Sequence, residues 1–485
     1  MSFFIRKNRG TQNSNTSTNS TRKRPKERQR QNAALPKKKK RFEDEEIESD
    51  SDEDIERLDD GKVTKHALSE EEEEEEETAQ EKKLRLTKEY LAQLAEEERK
   101  NEESKEIDRD AVAHRLKEDV LEQSGRLLRS VADDYEAPNV DDLCVLRGHK
   151  LAVTCLVISP DSKYIFSGSK DCSVIKWNLA SKKKEFVIPG GRKGMEGKHK
   201  GHTDHVLSMA ISSNGKYLAT GAKDKLIHIW NPSTCELIHT FRGHKEAISG
   251  LAFRHGTSLL FSASHDRAVK LWNVDDRAYM ETLFGHQEAI TSIDSLMRER
   301  AITSGGGDRS IRIWKVVEES QLVFMGHKGS IDCVRLLNEE FFFSGADDGS
   351  LALWTIGKKR PQVVIPNAHN ESGKSSNENW ISSLATLTST NLLASAGSKD
   401  SRIRFWRAGE NCQELRPLFS VPVVGFINAL QFTPDGTSLV AGVGQEHKLG
   451  RWWRLKEAKN SIVIIPLKKR EVTKEGQQKE GAVTE

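Results

Sequence analysis

The feature that most restricts this chain of 485 residues is a spacing that keeps returning. Gly-His pairs stand at Gly148-His149, Gly201-His202, Gly243-His244, Gly285-His286 and Gly326-His327. An Asp follows the His by 22 residues in four units (Asp171, Asp224, Asp266, Asp308) and by 21 in the fifth (Asp348). A Trp follows each Asp by six residues: Trp177, Trp230, Trp272, Trp314 and Trp354. A sixth unit keeps Asp400 and Trp406 but has Ala368-His369 and a longer loop, and a seventh has only Glu446 six residues before Trp452. Within a unit, apolar alternation marks short strands such as Val153–Ser159, Tyr164–Gly168, Val174–Trp177 and Phe186–Ile188. Four strands in roughly 40–53 residues cannot bury both faces alone, so units must stack around an axis. The expected fold is all-β, a seven-bladed propeller over residues 142–467.

The spacing has a mechanism. The His sits in the loop leading into the innermost strand, the Asp in the turn between strands two and three, and the Trp on strand three. A hydroxyl four residues before each Asp lies on strand two: Ser167, Thr220, Ser262, Ser304 and Ser344. His, hydroxyl, Asp and Trp can form one buried hydrogen-bonded network per blade. In units six and seven the same position holds Ala396 and Gly442, so those blades are expected to rely on packing alone. A His–Asp pair also suits acid–base chemistry, but recurrence in every good blade marks it as structural. The sequence has no phosphate-cradling Gly-rich loop, metal-ligand cluster or nucleophile elbow. A non-enzymatic scaffold without cofactor or metal is expected.

The units resemble the WD-repeat family, although each Trp is followed by Asn, Asn, Asn, Lys, Thr, Arg or Trp and never by Asp. The Trp-Asp-x-Arg of ubiquitin-ligase substrate receptors is therefore missing. Glu77–Leu86, Leu116–Gln123, Ser344–Ser350, Val424–Asn428 and above all Ala441–Arg454 resemble the U3 small nucleolar RNA-interacting branch of that family. That resemblance implies a U3 small nucleolar ribonucleoprotein component that binds U3 RNA beside a core protein. It implies work with small-subunit processome proteins in pre-ribosomal RNA processing and ribosome biogenesis, in the nucleolus, as a monomer within a large complex. The alternative is a nuclear protein–protein adaptor, such as a chromatin reader or ligase receptor, without RNA specificity.

Composition separates the rest of the chain. The formal net charge is only +2, yet residues 22–41 are strongly basic and residues 43–77 mostly acidic. Blocks of like charge build no core, so residues 1–77 read as a disordered arm. Within it, Arg22, Lys23, Arg24 and Lys26, then Lys37, Lys38, Lys39, Lys40 and Arg41, have the pattern of a bipartite nuclear localisation signal read by an import receptor. The bland alternative is a nonspecific RNA-binding tail. Ser49 and Ser51, among Asp and Glu, suit acid-directed kinases. Residues 78–131 carry a capping box at Thr78–Glu81 and apolar residues at helical spacing, which predicts two helices broken near Asn101–Ser104. Residues 468–485 read as a polar, disordered tail. Six cysteines without a C-x-x-C pair fit buried free thiols, and no apolar run is long enough to span a membrane.

Two segments are candidates for RNA contact. The insertion Pro189–Lys200 carries Arg192, Lys193, Lys198, His199 and Lys200, cations able to neutralise phosphates. In unit seven His447, Lys448, Arg451 and Arg454 crowd around Trp452 and Trp453. By alternation one Trp belongs to the blade core, and Trp453 faces the other side beside Arg and Lys, where it could stack on unpaired bases. The bland alternatives are a flexible loop and an edge-packing cation–π pair. A second insertion, residues 366–379, is polar and carries no readable chemistry. Ring closure has two candidates for one outer-strand slot, Leu143–Leu146 and Ser461–Ile465.

Overall fold

The computed structural model describes residues 85, 87, 88, 109–192, 199–370, 379–409, 412–450 and 454–470. The basic and acidic arm, with its localisation signal, Ser49 and Ser51, lies outside the described residues, as do residues 471–485. Seven antiparallel four-stranded sheets form the blades of a propeller, as expected. Blade one shows the plan: β2 (Val153–Ile158) is innermost, followed outward by β3 (Tyr164–Ser169), β4 (Val174–Asn178) and β5 (Lys183–Ile188). Every residue of β2 is buried, whereas β5 is exposed for all but its last residue. Apolar side chains fill the wedges between neighbouring blades. Trp272, for example, packs against Ile227 and Phe241 of the preceding blade.

The repeated spacing does what its chemistry requires. In blade two His202 Nδ1 lies 2.9 Å from Asp224 and Nε2 2.7 Å from the Thr220 hydroxyl, which also accepts the Trp230 indole N–H at 2.9 Å. A carboxylate only accepts, so Nδ1 carries the proton and Nε2 accepts from the hydroxyl. Blade three repeats this with His244, Ser262, Asp266 and Trp272. Blades one and five insert a second hydroxyl. Ser173 stands between His149 and Asp171, and Ser350 between His327 and Asp348. Ser167 and Ser344 remain the hydroxyls that receive Trp177 and Trp354.

Each Asp also builds its own turn. Asp266 accepts the N–H of Ala268 at 3.1 Å with one oxygen and that of Lys245 at 2.8 Å with the other. The turn is thereby tied to the neighbouring loop. The residue after the Asp is left-handed in blades one to four and six: Cys172, Lys225, Arg267, Arg309 and Ser401 have φ between 51° and 72°. Only blade five supplies a glycine there, Gly349.

Three expectations need correction. In blade four the hydroxyl is Thr303: its Oγ1 lies 2.8 Å from both His286 Nε2 and the Trp314 indole nitrogen. Ser304 points to the other side and meets Thr291. Blade six does not depend on packing alone. His369 bonds Asp400 and reaches the Ser395 hydroxyl at 2.7 Å, which accepts from Trp406 at 2.8 Å. The cause is the same in both: the turn is one residue longer, so counting four back from the Asp lands on the opposite strand face.

Blade seven holds the third correction. It consists of β26 (Phe426–Phe432), β27 (Ser438–Gly444), β28 (Ser461–Pro466) and β1 (Cys144–Leu146). The two candidates for ring closure therefore occupy different slots: β28 is the third strand and β1 the fourth, paired Val145 to Val463. The third strand of blade seven begins only at Ser461, so the Glu446–Trp452 interval does not mark it; Trp452 itself lies outside the described residues.

The segment before β1 is ordered along the underside. Helix α1 (Arg109–Gln123) ends at Ser124-Gly125, where Gly125 takes φ +69° as a C-terminal cap. Residues 85, 87 and 88 are also helical, and most of the first expected helix lies outside the described residues. Leu127 and Leu128, expected on the second helix, lie beyond its end. From there the chain runs beneath blades five, six and seven. Glu339 N–H donates to Gly125 O, Asn391 Oδ1 accepts from Val131 and Ala132, and the Tyr135 hydroxyl donates to Gly436 O. Leu127, Ala132 and Tyr135 are buried by this course.

Ser395→Ala is expected to cost about 1–3 kcal/mol, because His369 and Trp406 lose a buried partner; urea unfolding measures it. Deletion of residues 124–146 is expected to expose β28 and make residues 426–466 the first segment cut in limited proteolysis.

Candidate nucleic-acid interface

In an antiparallel meander the connection after strand four and the turn between strands two and three emerge on one side. That side, here the upper face, is where each His meets its Asp. Both candidate segments open on it. The insertion after β5 leaves Arg192, His199 and Lys200 exposed; Lys193 and Lys198 lie outside the described residues. The connection 445–460 rises between β27 and β28. Arg451, Trp452 and Trp453 also lie outside the described residues, so the expected stacking position of Trp453 has no structural description.

The described part of that connection is tightly anchored. Lys170, in the turn of blade one, donates to Glu446 Oε1 at 3.1 Å and to Gly450 O at 3.4 Å. Both partners of this ion pair are buried, with relative exposures of 4% and 6%. Asn428 donates to the Glu446 carbonyl at 3.1 Å and accepts the Lys448 N–H at 3.0 Å. Gln445 donates to Ala458 O at 2.7 Å and accepts from Arg454 Nε at 2.9 Å. Asn460 donates to the Lys150 carbonyl. Blade seven, which lacks the His–hydroxyl network, is held by Asn428 and by this ion pair. Gly442 alone suggested packing, and the signal that was missed is the polar Asn428 in an apolar inner strand.

The candidates separate once placed. Arg454 is exposed, and its guanidinium lies in the outer part of the connection. His447 is the correction: it is buried at 6% exposure, its ring set edge-on to Trp380 at 5.9 Å and near Phe426 at 6.5 Å. Burial first, then Lys448 and Lys170, push its pKa down to about 3, so the ring is neutral and belongs to the packing of the connection. Lys448 is half-buried and turns toward the central channel.

There Lys448 and Leu449 stand over the channel mouth with Leu207, Ser249, His265, Thr291 and Asp332. Below, a cavity of about 90 Å³ is lined by residues that include Thr154, Ser208, Ser249, Thr291, Ser382 and Ser383. Burial raises the Asp332 carboxyl to about 7, against the pull of Lys448. His202, Asp224 and His228 come close enough for a shared cation. Both nitrogens of His202 are engaged in the blade network and His228 Nδ1 meets Thr240 at 2.8 Å, so this cluster is part of the frame.

Comparison with known proteins follows the same outline. The family described as WD domain, G-beta repeat, matches residues 141–178, 195–231, 235–273, 278–315, 318–355 and 370–407. Residues 426–466, which carry the three inner strands of the seventh blade, are not among these matches, whereas its outer strand β1 lies within the first. The chain is 59% identical over 393 residues to the U3 small nucleolar RNA-interacting protein 2 of Mus musculus, covering 81% of this chain and 82% of that one. It is 37% identical over 410 residues to the U3 snoRNP-associated protein-like EMB2271 of Arabidopsis thaliana, covering 80% and 85%. A crystal structure of RRP9 WD40 repeats superposes with a TM-score of 0.66 at 54% identity, covering 69% of this chain and all of that one.

Asp332→Asn is expected to stabilise the protein above neutral pH. The folded-state pKa of about 7 lies above the unfolded value, which is about 3.9. Folding therefore takes up a proton between these values, and the penalty grows with pH until about 7. The thermal midpoint of the variant should exceed that of the parent at pH 8, by a smaller margin at pH 5, and differ little at pH 4.

Proposed function

The chain belongs to the WD-repeat family, in its branch of U3 small nucleolar RNA-interacting proteins, and on that premise we propose that it is a non-enzymatic scaffold of the U3 small nucleolar ribonucleoprotein. It binds U3 RNA and partner proteins of the core particle and the small-subunit processome, and it serves pre-ribosomal RNA processing in the nucleolus. The observation that carries the RNA half of this reading is the charge of the upper face. Around blades seven, one and two it exposes Arg147, Lys150, Arg192, Lys200, Lys223, Lys225, Arg242, Lys245 and Arg454. Exposed carboxylates are fewer there, with Glu246 and Glu457 among the cations, whereas the lower turns of blades three and four expose Asp275, Asp276, Glu318 and Glu319 beside Arg277. Affinity for a phosphate backbone grows with the number of cations that displace counterions, and this arrangement supports approach of RNA from above.

In this reading Arg192, Lys193, Lys198 and Lys200 contact phosphates from one side of blade one, and Lys448, Arg451, Trp453 and Arg454 meet the RNA from blade seven. The basic clusters Arg22–Lys26 and Lys37–Arg41 recruit a nuclear import receptor, and phosphorylation at Ser49 and Ser51 strengthens acidic docking to basic assembly proteins.

Retention of RNA from nuclear extract by the tagged full chain, at several salt concentrations, tests the proposal. U3 RNA should be enriched, and Arg192→Ala with Lys200→Ala, or Arg454→Ala, should weaken its binding and reduce the salt slope by about 1 per lost phosphate contact. Retention of proteins with no specific RNA would leave only a protein-binding propeller. Replacing Lys37, Lys38, Lys39, Lys40 and Arg41 with Ala should shift a fluorescent fusion from nucleus toward cytoplasm.

A further inference from the structure

The connection 445–460 is long for a turn between two strands of a blade. Its described residues contain no strand or helix, and connections of this length are usually mobile or built for a task. This one is fixed to the ring at its first residues, where Glu446 and Lys170 form a buried ion pair. Burying two opposite charges contributes little to stability compared with apolar side chains of the same size. What the pair does supply is a unique geometry, since a charge removed from water tolerates only the position that faces its partner.

Lys170 is itself rigidly placed. It immediately precedes Asp171, whose oxygens hold the blade-one turn through Lys150 N and Ser173 N. The residues at the same place in blades two and six are Lys223 and Lys399, and both are exposed. In blade one alone of these three the ammonium is turned inward across the blade boundary, onto the connection of blade seven. The Glu446 backbone is held at the same time by Asn428. Lys448 follows two residues on, at the channel mouth, and Arg454 lies on the exposed side.

We infer that the Lys170–Glu446 pair is a positioning device for RNA recognition: it transfers the rigidity of the blade-one network to the blade-seven connection and presets Lys448 and Arg454 on the upper face. This rests on the reading of that face as the RNA interface. The RNA meets a preformed surface, so the ordering of the connection is not charged against binding. Neither Lys170 nor Glu446 touches RNA in this scheme.

Glu446→Gln separates positioning from simple electrostatics, because the two predict opposite signs. Removing a negative charge beneath a phosphate-binding surface should strengthen RNA binding if charge alone matters. If the pair positions the connection, Glu446→Gln weakens binding to a U3 stem RNA by about tenfold and lowers the salt slope by about 1. Amides of residues 445–455 should also exchange faster while those of β2 and β26 keep their protection. A loss of global stability alone would leave the slope of the folded fraction unchanged. Unchanged or tighter binding with an unchanged slope overturns the inference. Should Glu446→Gln fail to fold, Glu446→Asp, which keeps the charge but shortens its reach, gives the same two readings. Wild-type protein that prefers no U3 stem over a scrambled RNA removes the functional reading as well. Wild-type binding that Arg454→Ala weakens and Glu446→Gln does not removes this inference alone.

Discussion

The molecule depends on one hydrogen-bonded chain, repeated from blade to blade: Asp to His, His to hydroxyl, hydroxyl to indole. The imidazole is the link that works in both directions. It gives a proton to a carboxylate on the surface side and accepts one from a hydroxyl in the interior. Its tautomer is fixed by those partners, so the loop carrying it has one orientation. In blade two this places His202 between Asp224 and Thr220, all three removed from bulk water. The Trp at the interior end then packs against the preceding blade, and the order of one turn becomes the order of the interface between two blades. The left-handed residues after each Asp show how firmly these turns are held. Cys172, Lys225 and Arg267 accept a conformation that costs about 1–2 kcal/mol for an L-residue, because the Asp accepts the N–H of the residue that follows and ties the turn to the loop after the His.

The upper face inherits this rigidity. Its loops differ in length and charge, but each starts and ends at a point fixed by a network. The long connection of blade seven has no His of its own and takes its fixed points from neighbours: Lys170 from blade one, Asn428 from its own inner strand, and Trp380, whose ring meets His447. Blade seven thus exchanges an internal network for a set of contacts that cross its boundaries. That exchange puts the least regular part of the ring next to its most basic surface.

Much of the ring was legible because the His-to-Asp and Asp-to-Trp intervals are set by strand length and turn type, which are nearly constant. Where a turn gained one residue, in blades four and six, counting from the Asp selected Ser304 and Ala396 instead of Thr303 and Ser395. Counting back from the Trp has the same ambiguity, since ten or eleven residues separate it from the hydroxyl; two adjacent hydroxyls in Thr303-Ser304 look alike in sequence. Trp452 was misread for a different reason: its distance from Glu446 matches the pattern, but the third strand begins only at Ser461. The underside segment left almost no signal, because Leu127, Ala132 and Tyr135 are too widely spaced for either strand or helix periodicity. Of the RNA candidates, the exposed cations were legible from charge alone. The burial of His447 depends on Trp380 and Phe426, which are distant in sequence and give no local sign.

The pairing of β1 with β28 has a consequence for how the ring comes into being. The strand made first, Cys144–Leu146, hydrogen-bonds to Ser461–Pro466, made last. Roughly 300 residues of chain separate them, which a ribosome takes ~15–60 s to add. Six blades can assemble from their own consecutive strands during that time, but blade seven cannot, and the inner faces of blades one and six wait without a neighbour. The closing contact joins the first and last strands of the propeller, so its formation is delayed by synthesis itself and by the entropy of bringing distant segments together. Until the last strand arrives, the propeller is an open arc with sticky ends, and the ring cannot close before its final strand has been made.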